Sequence, residues 1–168
     1  MNDFVNFLEV VNTSLLDQKL PMLEAICMPA NFSSIVGEFV STAIPKYCPS
    51  IARNTFHNGH PDLVPKGAFP GDAIQHGAVG IEVKASRYDK GWQGHNAENV
   101  FLMVIVYASA RPRDKESIPF KFIGVFGAQL VKADWAFAGR SAKSRRTITA
   151  SVKPSGFAKM TKNWVYRE

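Results

Sequence analysis

Cysteine is scarce, with two in 168 residues, and neither Cys27 nor Cys48 stands in a C-x-x-C or other metal-ligand spacing. A disulfide framework and a cysteine zinc site are thereby excluded, and two reduced thiols in a cytoplasmic protein are expected. Long apolar runs are missing too. The longest, Val100 to Ala108, is far shorter than the roughly 20 residues a membrane helix needs. The opening MNDFVNFLEVV has no basic leader, and Asn, Asp and Glu interrupt its apolar residues, so no signal peptide is expected. There is no G-x-S-x-G, Walker loop or G-x-G-x-x-G, which leaves hydrolase elbows and nucleotide cofactors without support. Repeats, low-complexity tracts and linkers are also lacking. What remains is 46% hydrophobic and 20% charged, a globular composition of a length that suits one domain over residues 1–168.

The net charge of +6 is unevenly placed. Residues 1–131 hold 11 Lys+Arg against 12 Asp+Glu, whereas residues 132–168 hold 9 against 2. A basic excess confined to one segment is the footprint expected for a polyanion partner, because each neutralised phosphate releases counterions. Arg140, Lys143, Arg145 and Arg146 are dense enough to track a phosphate backbone, and Lys159 and Lys162 join Arg145 and Arg146 as candidates for phosphate or base-edge contacts. Trp135, Phe137, Ile148, Val152, Phe157, Met160, Trp164 and Tyr166 interleave with these charges, so the segment is expected to fold, with Trp135 in the core.

Phe4, Phe7, Leu8, Val11 and Leu15 recur at helical spacing and predict a helix over residues 2–16. A second helix is expected from Asn31 or Ser33, both good N-caps, to Pro45. From residue 55 glycine and proline punctuate shorter apolar groups. DLVP and GIEVKAS read as two strands joined by a long loop, and GWQGHNAEN as a polar loop with a short helical turn near Glu98 to Val100. Val100 to Ala108 is apolar on both faces, the pattern of a central, doubly covered strand. FKFIGVFGAQL reads as the next strand. RRTITASV is expected to pair with SGFAKMTKNWVYR across a Pro154-Ser155-Gly156 turn, as a C-terminal hairpin. Two helices and then strands predict an α/β (α+β) chain with a mixed central sheet flanked by helices.

The residues that carry chemistry are Asp62 and, twenty positions on, Glu82 and Lys84. Residues i and i+2 of a strand point to one side, so Glu82 and Lys84 project together while Ile81, Val83 and Ala85 form the apolar alternate set. If DLVP pairs with that strand, Asp62 stands beside Glu82. Two adjacent carboxylates repel and are tolerated mainly around a divalent cation. Hard oxygen ligands with an incomplete protein shell suit Mg²⁺. A neighbouring lysine can orient the attacking water and stabilise charge on a phosphoryl group.

Pro61-Asp62 followed by Glu82-Val83-Lys84 resembles the motif of the PD-(D/E)xK nuclease superfamily, and GHPDLVP with GIEVKAS resembles its restriction-endonuclease-type branch. The resemblance spans residues 31–130 and includes an upstream helix bearing Glu38. It implies a restriction-endonuclease-like αβββαβ fold, Asp62 and Glu82 as ligands of one or two Mg²⁺ ions, and Lys84 assisting the water. The implied reaction is hydrolysis of double-stranded DNA to leave 5′-phosphates, as a type II restriction-type homodimer. Residues 132–168 would then contact DNA. Two departures stand out. The loop from Lys66 to Val79 is long and contains Asp72, a rival first ligand; Asp62 is preferred because it opens an apolar stretch, while Asp72 sits in a turn-like Pro-Gly-Asp. The helix that should follow the central strand has only residues 110–119 to occupy, and these include Pro112 and Pro119.

Glu38 is either a further catalytic carboxylate or a solvated helix residue. Ser86, on the Lys84 side of its strand, either touches a phosphate or fills the strand end. Gln93, His95 and Asn96 are candidate DNA contacts from the polar loop. His57-x-x-His60 lacks two further zinc ligands, so His60 is read as a possible neighbour of DNA. Two rival readings remain: a structure-specific or repair nuclease of the same fold, similar to a Holliday-junction resolvase, and a non-catalytic DNA-binding module.

Overall fold

The computed structural model describes residues 1–111, 118–138 and 149–168. Its centre is the strand Val100–Ala108 (β5), whose side chains alternate into two apolar layers. Met103, Ile105 and Tyr107 enter one layer with Phe4 and Leu8 of helix α1 (Asn2–Asp17) and Phe32, Val36 and Val40 of helix α3 (Pro29–Tyr47). Val100, Leu102, Val104 and Val106 enter the other, against Trp92, Trp135, Ala150 and Met160. The doubly covered strand foreseen from composition is therefore present, because a period-two side-chain alternation with no polar member needs a cover on each side. Between the first two long helices lies a short one, α2 (Leu23–Ile26).

α3 starts earlier and ends later than its cap residues suggested. Pro29 stands in its first turn, where a missing N–H costs nothing. Pro45 does not stop the helix, which continues to Tyr47 and is closed by the Cys48 N–H on the Ile44 carbonyl at 2.9 Å.

The main sheet has six strands in the order β1 (Ile51–Arg53), β2 (Leu63–Pro65), β3 (Ile81–Ser86), β5, β6 (Lys121–Leu130) and β9 (Trp164–Arg167). Among the described residues every pairing in this sheet is antiparallel except β3 with β5. A small second sheet, β4 (Gln93–Gly94), β8 (Thr149–Val152) and β7 (Trp135–Ala138), covers the face opposite α1 and α3. The chain is thus α+β, a mostly antiparallel sheet with helices on both faces. Among the described residues no helix is long and apolar enough to cross a membrane.

Two expectations are corrected. The short helical turn near Glu98 to Val100 does not form: Gln93–Gly94 pairs with Ser151 and Ala150, and Val100 already opens β5. Nor does the C-terminal hairpin form. Residues Pro154–Lys162 make helix α4, and β9 pairs with β6, while β8 pairs with β4 and β7. Pro154 occupies the first turn of a helix, and Gly156, Phe157 and Met160 recur at helical rather than strand spacing. Gly156 lets the helix approach closely, since a Cβ there would lie 2.9 Å from Val152 Cγ1 and 3.1 Å from Asp134 Cβ.

Asp134 is the anchor of this unit. Buried, it accepts hydrogen bonds from the Val131 N–H (3.0 Å), the Ser155 hydroxyl (2.9 Å) and Lys159 Nζ (2.6 Å). The Lys159 hydrogen bond, followed by the Val131 N–H, holds its carboxyl below the usual range. Asp134→Ala removes all three bonds and is expected to cost about 2–4 kcal/mol, read as a lower midpoint in urea unfolding. An unchanged midpoint would refute this anchoring role.

Candidate active site

β2 and β3 pair antiparallel, with Leu63 opposite Ile81. One residue before β2, where the strands part, the Asp62 side chain accepts the Val83 N–H at 2.8 Å, so this carboxylate is fastened to the edge of β3. Ile81, Val83 and Ala85 pack into the α1/α3 layer, which leaves Glu82 and Lys84 projecting from the other face, as the alternation required. Lys84 Nζ lies 2.5 Å from Glu82 Oε1. All three side chains line one open cleft of about 670 Å³.

The two carboxyls titrate in opposite directions. Burial, reinforced by the charge of Glu82, pushes Asp62 up to about 6, against the opposing Val83 N–H bond and the charge of Lys84. Burial also acts to raise Glu82, but the hydrogen bond from His60 and the charge and hydrogen bond of Lys84 outweigh it and hold that group at about 2. Near neutrality Glu82 is ionised, and ionising Asp62 beside it is costly. Among the described residues no group of three or more His, Cys, Asp or Glu is arranged to hold a metal ion. A cation here would rest on Asp62 and Glu82, with water and substrate oxygens completing its shell. That donor set fits Mg²⁺, which is commonly held by one or two carboxylates and keeps several waters.

No protein-family model, curated protein or solved structure matches the chain. The chemistry open to the cleft follows from its own groups.

Glu38 reaches the rim of the cleft from α3, with its carboxylate paired to Arg53 of β1, which also bonds Thr42. Asp72 takes a left-handed backbone conformation (φ 54°), and its Oδ1 accepts the Gly67 N–H at 2.6 Å, which closes the turn; it is not among the residues that line the cleft. His57 and His95 line the cleft. His60 does as well, but its nitrogens face carboxylates: Nδ1 is 2.9 Å from Glu82 Oε2, and Nε2 is 3.3 Å from Glu98 Oε2. The Glu82 hydrogen bond is the main cause that raises the His60 pKa; burial opposes it, and the charges of Glu82, Glu98 and Asp62 add to it.

The remaining candidates are scattered. Ser86 closes a turn, accepting the Tyr88 N–H and donating to the Tyr88 carbonyl, each at 3.0 Å. Gln93 is exposed on β4 opposite Ser151, and Asn96 is exposed in the loop that follows. Lys162 is exposed on α4, while Lys159 is engaged by Asp134. Arg140, Lys143, Arg145 and Arg146 lie outside the described residues.

Sequence reasoning missed the wall formed by residues 53–59, which brings Arg53, Thr55, Phe56 and Asn58 to the cleft. Buried Asn54 pins that wall. Its Nδ2 donates to the Pro61 and Ile74 carbonyls (2.9 and 2.8 Å), and its Oδ1 accepts the Phe56 and Ile74 N–H groups, both at 3.1 Å. Nothing in the residues next to Asn54 marks this role, since its partners come from positions 56, 61 and 74.

Proposed function

We propose that the chain is a Mg²⁺-dependent endodeoxyribonuclease of the PD-(D/E)xK kind, with a restriction-endonuclease-like fold. It would act on double-stranded DNA in the cytoplasm as a type II restriction-type enzyme. The observation that carries the reading is the convergence of Asp62 and Glu82, two largely buried carboxyls, beside Lys84 in an open cleft, with Asp62 raised to about 6 by burial and by its neighbour. Repulsion left in place at a cleft is what a cation site leaves when no cation compensates it.

Asp62 and Glu82 would hold the cation, and Lys84 would turn toward the scissile phosphate. Bound Mg²⁺ supplies Lewis-acid stabilisation of the phosphoryl charge. Lys84 Nζ orients the attacking water and donates to a non-bridging phosphate oxygen. The water oxygen bonds to phosphorus as the bond from phosphorus to O3′ breaks. One water proton passes to solvent, and the 3′ oxygen takes one back, which leaves a 5′-phosphate and a 3′-hydroxyl. One such cleft cuts one strand, so a two-fold homodimer is the simplest device for cutting both.

The test is digestion of plasmid and phage DNA with the protein and Mg²⁺, followed by sequencing of the ends. Discrete fragments with 5′-phosphates at one short sequence are expected. Cleavage confined to four-way junctions would replace the restriction reading with a resolvase-like one. Binding with no cleavage under any divalent cation would leave only a DNA-binding module.

A further inference from the structure

Glu82 is the most deeply buried of the carboxylates around the cleft, and the torsion that turns a glutamate carboxylate about its last bond is soft. Holding it in one orientation takes a donor at each oxygen. Lys84 serves Oε1, but a lysine that must reach a phosphate cannot also be a permanent strut. Oε2 is served by His60 Nδ1 at 2.9 Å, and the far nitrogen of that ring lies 3.3 Å from Glu98 Oε2. Glu98 is itself held from behind. Its carbonyl accepts the indole N–H of buried Trp135 (2.9 Å), and the next residue, Asn99, accepts the Lys132 N–H through Oδ1 (3.1 Å). Contacts therefore run from the small sheet, through Glu98 and His60, to the central carboxylate of the cleft.

We infer that His60, oriented by Glu98, is a positioning residue that fixes the Glu82 carboxylate for a divalent cation, an inference that rests on the nuclease reading above. An ionised carboxylate oxygen has lone pairs enough to accept from His60 and still face a cation, so the two roles do not compete. Partners of this kind, which bond a ligand and not the ion, are commonly worth 10–100-fold in metal affinity or activity. The arrangement also gives the β7 region a second task besides packing, since Trp135 anchors the loop that carries Glu98.

The test is calorimetric titration of the full chain with MgCl₂, without DNA, alongside cleavage rates across Mg²⁺ concentration. Two isosteric replacements separate the ends of the ring. His60→Asn places an amide nitrogen where Nδ1 stood and keeps the donor to Glu82. His60→Gln extends toward Glu98 and loses that donor. His60→Gln is expected to weaken Mg²⁺ binding by about 10–100-fold and to move the cleavage curve to higher Mg²⁺ by the same factor. His60→Asn should stay within a few-fold of wild type, and Glu98→Gln should fall between the two. Thermal melts that are alike for the Asn and Gln proteins remove a folding defect as the cause. Wild-type affinity in His60→Gln, or equal losses in His60→Asn and His60→Gln, overturns the inference and leaves the nuclease reading intact. A wild-type protein that neither binds Mg²⁺ nor cleaves DNA overturns both.

Discussion

Asp62→Asn is expected to abolish cleavage and, at the same time, to make the cation-free protein more stable at neutral pH. The Asp62 carboxyl is raised from 3.8 to about 6, first by burial and then by the charge of Glu82. A group with a raised native pKa binds its proton more tightly in the folded chain, so above about 6 the folded state bears the cost of ionising it. A shift of this size corresponds to something on the order of 1–3 kcal/mol. The asparagine removes that charge, and its amide oxygen can still accept the Val83 N–H. The gain is full above about 6, fades as pH falls toward 3.8, and is gone below 3.8, where Asp62 is protonated in the folded and unfolded chains alike. For a chain of this length each kcal/mol is worth about 2–4 °C in melting temperature. Added Mg²⁺ should raise the wild-type melting temperature by mass action and leave that of Asp62→Asn unmoved. Differential scanning calorimetry across pH, with and without Mg²⁺, reads both effects. A lower melting temperature for Asp62→Asn at neutral pH would mean that the carboxylate is a structural partner and not a repelled ligand.

Lys84→Ala is expected to cut the rate of the chemical step by about 10²–10³-fold, the usual loss when one donor aimed at developing charge is removed. DNA binding should change little, because a single ammonium among many phosphate contacts contributes only a small share of affinity. Lys84→Arg should not restore the rate. The guanidinium is a wide planar fork, whereas the position beside Glu82 holds a compact ammonium 2.5 Å from Oε1. Single-turnover cleavage and gel-shift titration separate the two quantities. A Lys84→Ala protein that cleaves within a few-fold of wild type would remove Lys84 from the chemistry.

The Glu82–Lys84 pair was legible because a strand alternates, and Ile81, Val83 and Ala85 are apolar on the opposite side. The same rule made β5 legible, since it has no polar residue on either face. Asp62 was legible only conditionally: its place beside Glu82 depends on the pairing of Leu63 with Ile81, and its preference over Asp72 agrees with the bond that Asp72 makes to Gly67. The C-terminal segment was misread for a physical reason. Pro154-Ser155-Gly156 has turn composition, but what settles the helix is tertiary, namely the close approach of Gly156 to Asp134 and the capture of the β6 edge by β9. Charge density likewise cannot distinguish a lysine open to phosphate from Lys159, which is paired to a buried aspartate. His60 and Glu98 meet across 38 positions of sequence, and nothing local to either residue marks the contact.

The most direct measurement is cleavage of plasmid DNA by the wild-type and Glu82→Ala proteins, each in Mg²⁺ and in excess chelator. Cutting by the wild type in Mg²⁺ alone, with Glu82→Ala still shifting DNA in a gel but leaving it intact, is the predicted result. Cleavage by Glu82→Ala at the wild-type rate, or by the wild type in chelator, would contradict the account.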